Sequence, residues 1–267
     1  MGPAVRFLRA PSTSFQGTST PSGWSGVIGP LPELAPRQKL LHIVRHAQGF
    51  HNVDPDIMRS PAGIDARLTD EGFAQCARLA HTLAHLRPEV IVTSPLTRTI
   101  QTALHSFPTQ LRNHGVPLVA LEAVRETVNY MCDVRRPLST ISGEIAQEGV
   151  AIDLSGCTDD HDEIWATSER KHGSASAFQG HRESVDPHRI AARARGAFEW
   201  LAARPEREIV IVTHSAFLWH VLNMERVNHA AGVPAVVDYG GDLELDGWLS
   251  PRFENAECRS VICEFLE

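Results

Sequence analysis

Two histidines directly follow short apolar segments of the sequence. Residues 40–44 are strand-forming and lead into Arg45 and His46, and residues 209–213 lead into His214. Apolar runs of this length favour buried strands over helices. If the two strands are parallel neighbours, both imidazoles lie at the carboxyl edge of the sheet, where open α/β sheets bind ligands. With the permanently charged Arg45, the pair predicts a pocket for an anion, and phosphate is the favoured ligand.

Further candidates for the same edge follow two other apolar segments. Residues 90–93 predict a compact strand, and the helix expected after it contains Arg98 in its first turn. Residues 118–121 predict another strand, which is followed closely by Arg125 and Glu126. The order of strands and helices therefore brings Arg98 and a carboxylate toward the predicted anion pocket.

Helices are expected between these strands. Apolar periodicity and capping residues predict them over about 69–86, from 95 onward, over 189–203, and from an N-cap at Ser215 to 222. Residues 233–237 and 258–265 are apolar enough to be the remaining strands, and they are compatible with an antiparallel edge. The predicted fold is α/β, a three-layer α/β/α sandwich with a mostly parallel central sheet and a cap insertion.

The length of 267 residues fits one large domain or two small ones, and we favour one domain over residues 38–267. Within it, a cap insertion is expected at about 127–187, where apolar periodicity fades. Residues 1–37 are expected to form a flexible extension or a transit-like segment. The first 32 residues lack Asp and Glu and are rich in Ser, Thr, Gly and Pro.

Composition excludes several classes of partner. The net charge of −7 and the lack of a basic run argue against nucleic acid and anionic membranes. No apolar segment is long enough to cross a bilayer, so a soluble chain is expected. We expect a cytoplasmic location, or a plastid or mitochondrion if residues 1–37 act as a transit peptide. The sequence does not predict the oligomeric state.

Neither a resident metal nor a cofactor is expected. The five cysteines include no C-x-x-C pair, which indicates neither a disulfide framework nor a zinc ribbon and favours a reducing compartment. No G-x-G-x-x-G or Walker loop is present. Two groups have some metal-ligand character, the acidic run at residues 159–163 and the pair His81 and His85. We interpret the run as a solvated loop and the pair as surface positions.

The motifs together resemble the histidine phosphatase superfamily, in its phosphoglycerate-mutase-like branch. They are Arg45-His46-Ala47 with Asn52, residues 94–102 around Arg98, Arg125-Glu126, and Thr213-His214. Residues 65–69 and 132–136 also look like the plant and fungal phosphoglycerate-mutase-like proteins. The resemblance runs from about residue 40 to residue 222. It implies that His46 is transiently phosphorylated.

Three differences from known motifs of that superfamily narrow the range of activities that we expect. The glycine that usually follows each catalytic histidine is Ala47 in one motif and Ser215 in the other, and both replacements are small. The Phe-x-Gly-Trp segment of true phosphoglycerate mutases is absent, which weighs against mutase activity. The acid phosphatase and phytase branch carries His-Asp at the second histidine, whereas this chain carries His214-Ser215, so that branch is excluded.

These residues permit phosphoryl transfer. Arg45 and Arg98 would neutralise the phosphate, with His214 and Asn52 as added donors. His46 would attack phosphorus, and Glu126 would protonate the leaving oxygen and then activate water. Three further arginines are candidates for gripping the rest of an anionic substrate, although a solvated or structural role is an equal alternative: Arg67, Arg135 and Arg136.

The sequence therefore predicts a metal-independent phosphomonoester hydrolase that acts through a phosphohistidine on a small phosphorylated metabolite. A phosphomutase is the first alternative, and it requires a cap that keeps water from the phosphoenzyme. A catalytically silent phosphate-binding domain is the second alternative. The presence of both a nucleophile and an acid weighs against it.

Overall fold

The computed structural model describes residues 2–10, 33–174, 183, 186–224, 226 and 232–266. Its described strands form one sheet: β1 Val5–Leu8, β2 Gln38–Arg45, β3 Val90–Thr93, β4 Leu118–Leu121, β5 Ile152–Gly156, β6 Glu208–Thr213, β7 Val237–Asp238 and β8 Cys258–Phe265. Their spatial order is β5-β4-β3-β6-β2-β8-β1-β7. Strand β8 runs antiparallel to both of its neighbours, and the other pairs are parallel.

Helices connect the strands and cover the sheet. Those described are α1 Phe50–Val53, α2 Pro55–Arg59, α3 Asp70–Thr82, α4 Thr97–Ser106, α5 Leu138–Gln147, α6 Glu163–His172, α7 Pro187–Ala203, α8 Ser215–Leu222 and α9 Leu243–Leu249. Single 3₁₀ turns occur at Pro61–Gly63, Glu122–Val124 and Met131–Asp133, and a π turn occurs at Thr109–Asn113.

Alternating strand residues build two apolar layers. Leu41 and Ile43 of β2 belong to the cluster that also contains side chains of α7 and α8. Val44 belongs to the cluster on the other face, together with side chains of α3, α4 and α5. Each fully buried aliphatic side chain stabilises such a layer by roughly 1.5–3 kcal/mol. The prediction of a three-layer α/β/α fold with a mostly parallel sheet is confirmed.

The register between β2 and β6 sets the positions of the two histidines. Arg45 pairs with Thr213 in the parallel ladder, and the backbone N–H of His46 donates to the Thr213 carbonyl at 2.9 Å. The residues that follow these strands are His46 and His214. Parallel strands end at the same edge, so the two side chains emerge side by side.

Two helix starts near this edge depend on local chemistry. Thr69 caps α3 by accepting from the Gly72 N–H at 3.0 Å. A Cβ atom at Gly72 would lie 2.1 Å from the Gln48 carbonyl oxygen, so only glycine allows this close approach of α3 to the loop after β2. The N-cap of α8 is His214, not Ser215 as predicted, because Ser215 already has a helical position.

The prediction of a flexible extension or transit-like segment at residues 1–37 is wrong for residues 5–8, and its residues 11–32 lie outside the described part of the chain. Val5–Leu8 form β1 between β8 and β7, and Val5 and Phe7 are buried. Arg9, which follows β1, donates to Asp242 at 2.6 Å. Pairing with β8, at the far end of the chain, supplies the backbone partners that a four-residue strand lacks alone.

The predicted cap at residues 127–187 is also wrong in part. Strand β5 extends the main sheet, because it pairs with β4 in parallel, and α5 packs on that sheet. Strand β5 lies at the edge and is only half covered, which explains its polar sequence. The strand predicted at 233–237 is reduced to Val237–Asp238, and β8 is antiparallel but lies inside the sheet.

Candidate active site

His46 lies immediately beyond β2, and 2% of its surface is exposed. Its Nδ1 is 2.7 Å from the Ala47 carbonyl oxygen. Because a carbonyl oxygen can only accept, Nδ1 carries the hydrogen and Nε2 carries the lone pair. Burial lowers the pKa of His46 well below its usual value, and the charges of Arg98 and Arg45 lower it further. The imidazole is therefore neutral and presents Nε2 as a nucleophile.

His214 is the second histidine at this edge, and its ring centre is 5.1 Å from that of His46. Its Nδ1 accepts from the Arg98 Nε–H at 3.3 Å, and its Nε2 lies 2.8 Å from Ser94 Oγ. Nε2 therefore carries the hydrogen and donates it to Ser94. Burial lowers the pKa of His214 well below its usual value, and Arg98 adds to this shift. In this geometry the neutral His214 orients Arg98.

Arg98 is a buried cation in the first turn of α4, with 1% of its surface exposed. One terminal nitrogen donates to the Cys132 carbonyl at 2.6 Å, and the other donates to Asp133 Oδ1 at 3.1 Å. With His214 on Nε, every nitrogen of the guanidinium has a fixed protein partner. The cation is thus oriented before any ligand arrives.

Arg45 is the second cation of the cavity. Its Nη1 donates to the Phe253 carbonyl at 2.6 Å, and its buried Nε has no hydrogen-bond partner among the described residues. Burial lowers the pKa of Arg45. A guanidinium does not lose its proton in a protein. The lowered pKa therefore means that the charged side chain is unfavourable in the empty cavity and that a bound anion would stabilise it.

Glu126 reaches the site from the loop after β4, where it meets the N-terminus of α8. Its carboxylate accepts from the N–H groups of Thr127 at 2.8 Å, Ala216 at 3.2 Å and Phe217 at 2.8 Å. Burial raises the pKa of Glu126, and the negative charge of Asp133 raises it further. The protonated form is thus favoured more than in a solvated glutamate.

Asp133 is a buried carboxylate beside these groups, with 3% of its surface exposed. In addition to its ion pair with Arg98, its Oδ2 accepts from the backbone N–H groups of Asn129 at 3.2 Å and Tyr130 at 2.9 Å. These bonds fix the aspartate in one orientation. Asp133 therefore contacts one cation of the site and acts electrostatically on Glu126.

The candidate groups surround a cavity of about 440 Å³, which is in the size range of small-molecule sites. Asn52 of α1 contributes to its wall, and its Oδ1 accepts from the Gly49 N–H at 2.9 Å. The lining side chains come from five parts of the chain: Arg45, His46, His51, Asn52, Met58, Arg98, Glu126, Thr127, Asn129, Tyr130, Cys132, Asp133, Ser215, Ala216, Trp219, His220 and Arg252.

His51 was not predicted to belong to this site. Its ring centre is 5.3 Å from that of His46. Burial and the charges of Arg98 and Arg45 lower its pKa to about 2, so this third imidazole is also neutral. Its position five residues after His46 was the available sequence signal. Arg252 and Trp219 were missed as well, and nothing in their local sequence indicated the cavity.

The three arginines expected to grip the rest of a substrate do not line this cavity. Arg67 and Arg136 both pair with Glu144, at 2.7 Å and 2.6 Å, and Arg136 also pairs with Asp65 at 2.9 Å. Arg67 instead borders a separate cavity between α4 and α5. Carboxylates pair with both guanidinium groups, which favours the structural alternative for Arg67 and Arg136.

Arg135 is even less accessible, since 4% of its surface is exposed. Its Nε donates to Glu122 at 2.8 Å, and its terminal nitrogens donate to four backbone carbonyls, those of residues 136, 159, 160 and 161. All of its donors bind groups of the protein itself, which favours the structural alternative for Arg135.

The acidic run at residues 159–163 is not simply a solvated loop. Asp162 is nearly buried and accepts from Arg125 at 2.7 Å and from the Trp165 N–H of α6 at 2.9 Å. No cluster of His, Cys, Asp and Glu within the described ranges forms a metal-ligand group. His81 is exposed on α3, as expected for a surface position, and His85 is half-buried.

The geometry defines an α/β protein that carries two neutral histidines and two oriented arginines at the carboxyl edge of its sheet. Residues 41–136 match the model of the histidine phosphatase superfamily (branch 1). Phosphoglycerate mutase-like protein 1 of Arabidopsis thaliana is 32% identical over 220 residues, covering 70% of this chain and 72% of the relative. A second Arabidopsis phosphoglycerate mutase-like protein is 31% identical over 264 residues, covering 85% of this chain and 84% of the relative.

A probable phosphatase of Schizosaccharomyces pombe is 24% identical over 178 residues, covering 66% of this chain and 74% of that protein. The chain therefore belongs to the histidine phosphatase superfamily. No helix in the described part of the chain is both long and apolar enough to span a membrane.

Proposed function

We propose that the protein is a phosphomonoester hydrolase that acts through a phosphohistidine at His46. The observation that carries this proposal is the tautomer of His46, whose Nδ1–H is held by the Ala47 carbonyl at 2.7 Å. This leaves the Nε2 lone pair for attack beside Arg45 and Arg98. The membership of the chain in the superfamily and the name of the fission yeast relative support the same reaction.

In the first step, the Nε2 lone pair of His46 forms a bond to phosphorus while the bond from phosphorus to the ester oxygen breaks. Arg45 and Arg98 stabilise the charge on the non-bridging oxygens. Glu126 gives its proton to the leaving oxygen, so an alcohol departs instead of an alkoxide. The raised pKa of Glu126 favours the proton that this step needs.

In the second step, the ionised Glu126 takes a proton from water. The water oxygen then attacks phosphorus and the bond to His46 Nε2 breaks. Inorganic phosphate leaves, and both side chains return to their starting protonation states. The three N–H groups that Glu126 accepts from stabilise its carboxylate between the two steps. One residue thus serves in turn as acid and base.

Hydrolysis is favoured over transfer to a second substrate because the Phe-x-Gly-Trp segment of true phosphoglycerate mutases is absent from the sequence and the fission yeast relative is named a probable phosphatase. Arg252 is exposed at the rim of the cavity. The cavity volume of about 440 Å³ fits a small phosphorylated metabolite.

We also propose that catalysis requires no metal ion, since Arg45 and Arg98 can neutralise the phosphate. The expected compartment is reducing, because all five cysteines are free and four of them are buried. We accordingly propose a cytoplasmic location.

The experiment that tests the proposal measures phosphate release from a panel of small phosphomonoesters. We expect turnover by the wild type and a loss of about 10⁴-fold or more in His46→Asn, which lacks the attacking nitrogen. His81→Asn, an exposed histidine on α3, is the matched control and should behave as wild type. EDTA should leave the rate unchanged. Substantial turnover by His46→Asn, or restoration by a divalent ion after EDTA, would contradict the proposal.

A further inference from the structure

The wall of the cavity carries a third cation besides Arg45 and Arg98. Arg252 lies in the segment that joins α9 to β8, and its guanidinium carbon is 4.8 Å from the centre of the Trp219 ring. Both side chains line the cavity. Stacking on an indole face orients a guanidinium plane without occupying its hydrogen-bond donors.

The charge of Arg252 has no counterion within the described residues. Arg98 is paired with Asp133, whereas neither Arg45 nor Arg252 forms a salt bridge with a described carboxylate. Burial is the largest cause that lowers the pKa of Arg45, and the charge of Arg252 lowers it further, while Glu126, Glu254 and Glu257 offset this only in part. Such an arrangement costs free energy in the empty site and is relieved by bound negative charge.

The backbone that carries Arg252 is fixed in place. Arg259 donates to the carbonyls of Leu249 at 3.0 Å, Pro251 at 2.8 Å and Arg252 at 3.2 Å. Its guanidinium also stacks on Phe253 at 3.9 Å, and the Phe253 carbonyl is the group that accepts from Arg45. One rigid segment therefore positions both unpaired cations, one toward the histidines and one toward the rim.

We propose that Arg252 binds a second anionic group of the substrate, a carboxylate or a second phosphate. The substrate class is then a small phosphomonoester whose alcohol portion also carries negative charge. This inference rests on the proposed hydrolase function and adds the specificity that Arg67, Arg135 and Arg136 were expected to supply. A guanidinium recognises either anion through paired N–H donors.

The test compares matched substrates that differ only in the second anion. One series consists of phosphooxy carboxylates of two, three and four carbons, and each is paired with the alkyl phosphate of the same length. A second series replaces the carboxylate with a second phosphate. The wild type should have a higher kcat/KM for the anionic member of at least one pair. The preferred series identifies the second group as a carboxylate or a phosphate.

Arg252→Gln should lower kcat/KM for the preferred anionic substrate by about 10- to 100-fold, mainly through KM, because a charge-assisted hydrogen bond is lost. The matching alkyl phosphate should change several-fold less. Arg252→Lys should recover part of the preference as a point charge. Arg112→Gln is the matched control, since Arg112 is a partly exposed arginine that pairs with Glu148 away from the cavity.

Two results would overturn the inference while leaving the hydrolase proposal intact. One is a wild type without any preference for the anionic member of a pair. The other is an equal loss for both members in Arg252→Gln, which would place Arg252 at the reacting phosphate. A wild type that hydrolyses no member of either series and forms no phosphoenzyme would instead overturn the hydrolase proposal itself.

Discussion

Buried arginines occur in two neighbouring regions of this molecule, and they are neutralised very differently. In the first region, which we call the arginine–carboxylate cluster, Arg125 and Arg135 meet Glu122 and Asp162. Other donors of these arginines bind backbone carbonyls, including that of Asp133, and the buried Nε of Arg125 has no hydrogen-bond partner among the described residues. We call this cluster closed because its positive charges are paired with its own carboxylates.

In the second region, the cavity, not every arginine is paired with a carboxylate. Arg98 has one carboxylate partner, Asp133, while Arg45 and Arg252 have none among the described residues. The difference teaches that burial and charge alone do not identify a binding arginine. A closed network holds the loops that carry it, whereas an excess of fixed positive charge is available to a ligand.

Breaking the closed network should affect mainly stability. Asp162→Ala removes the buried partner of Arg125 and the N-cap of α6, so the free energy of unfolding should fall by about 3–5 kcal/mol. Urea unfolding at neutral pH measures this change. Asp159→Ala is the control, because the exposed Asp159 side chain pairs with no arginine among the described residues, so this substitution should cost less than about 1 kcal/mol. Equal losses of unfolding free energy in the two variants would show that the arginine–carboxylate cluster does not stabilise the fold.

Removing an open cation should affect mainly activity. Arg45→Gln should lower kcat/KM by about 10²–10³-fold, because one oriented donor group for the phosphate is lost. Stability should change little or rise slightly, since burial lowers the pKa of Arg45 and its charge is costly in the empty site. Steady-state kinetics and thermal unfolding of the same samples give both quantities. Loss of stability without loss of rate per folded molecule would place Arg45 with the closed network.

Asp133 lies at the border between the two regions and has the smallest predicted effect. Its charge raises the pKa of Glu126 beyond what burial does, so removal of that charge should lower the pKa. The first step needs protonated Glu126, and kcat/KM therefore falls as pH rises through that pKa. In Asp133→Asn this basic limb should move to lower pH.

The control for this shift is Glu126→Gln, in which the basic limb should disappear because glutamine does not titrate. An unchanged limb in Asp133→Asn would show that Asp133 does not tune Glu126. A basic limb that persists in Glu126→Gln would show that another group of the cavity is the general acid.

The sequence was informative wherever a local pattern decides the structure. Short apolar runs predicted β2 and β6, and their parallel pairing, which brings His46 and His214 together, is confirmed. The position of Arg98 was predicted in the same way, from the order of a strand and the helix after it, since Arg98 lies in the first turn of α4. In each case the deciding signal lies within a few residues of the side chain concerned.

The rest depends on partners that are distant in the chain. Strand β1 is too short to predict alone, and its antiparallel neighbour is β8, more than 250 residues away. Residue type does not distinguish Arg135 from Arg45, and the difference lies in distant partners of Arg135 such as Glu122 and the carbonyls of residues 159–161. Arg252 joins the cavity through a segment held by Arg259, which no local pattern indicates.

The central claim is that His46, and not its neighbour His51, becomes phosphorylated through Nε2. The most direct measurement quenches wild-type protein during turnover of a ³²P-labelled phosphomonoester and maps the labelled peptide. The account predicts an acid-labile, base-stable label on His46 that is absent in His46→Asn and present in His51→Asn. A label on His51, an acid-stable label on another side chain, or phosphate release without a labelled protein intermediate would contradict it.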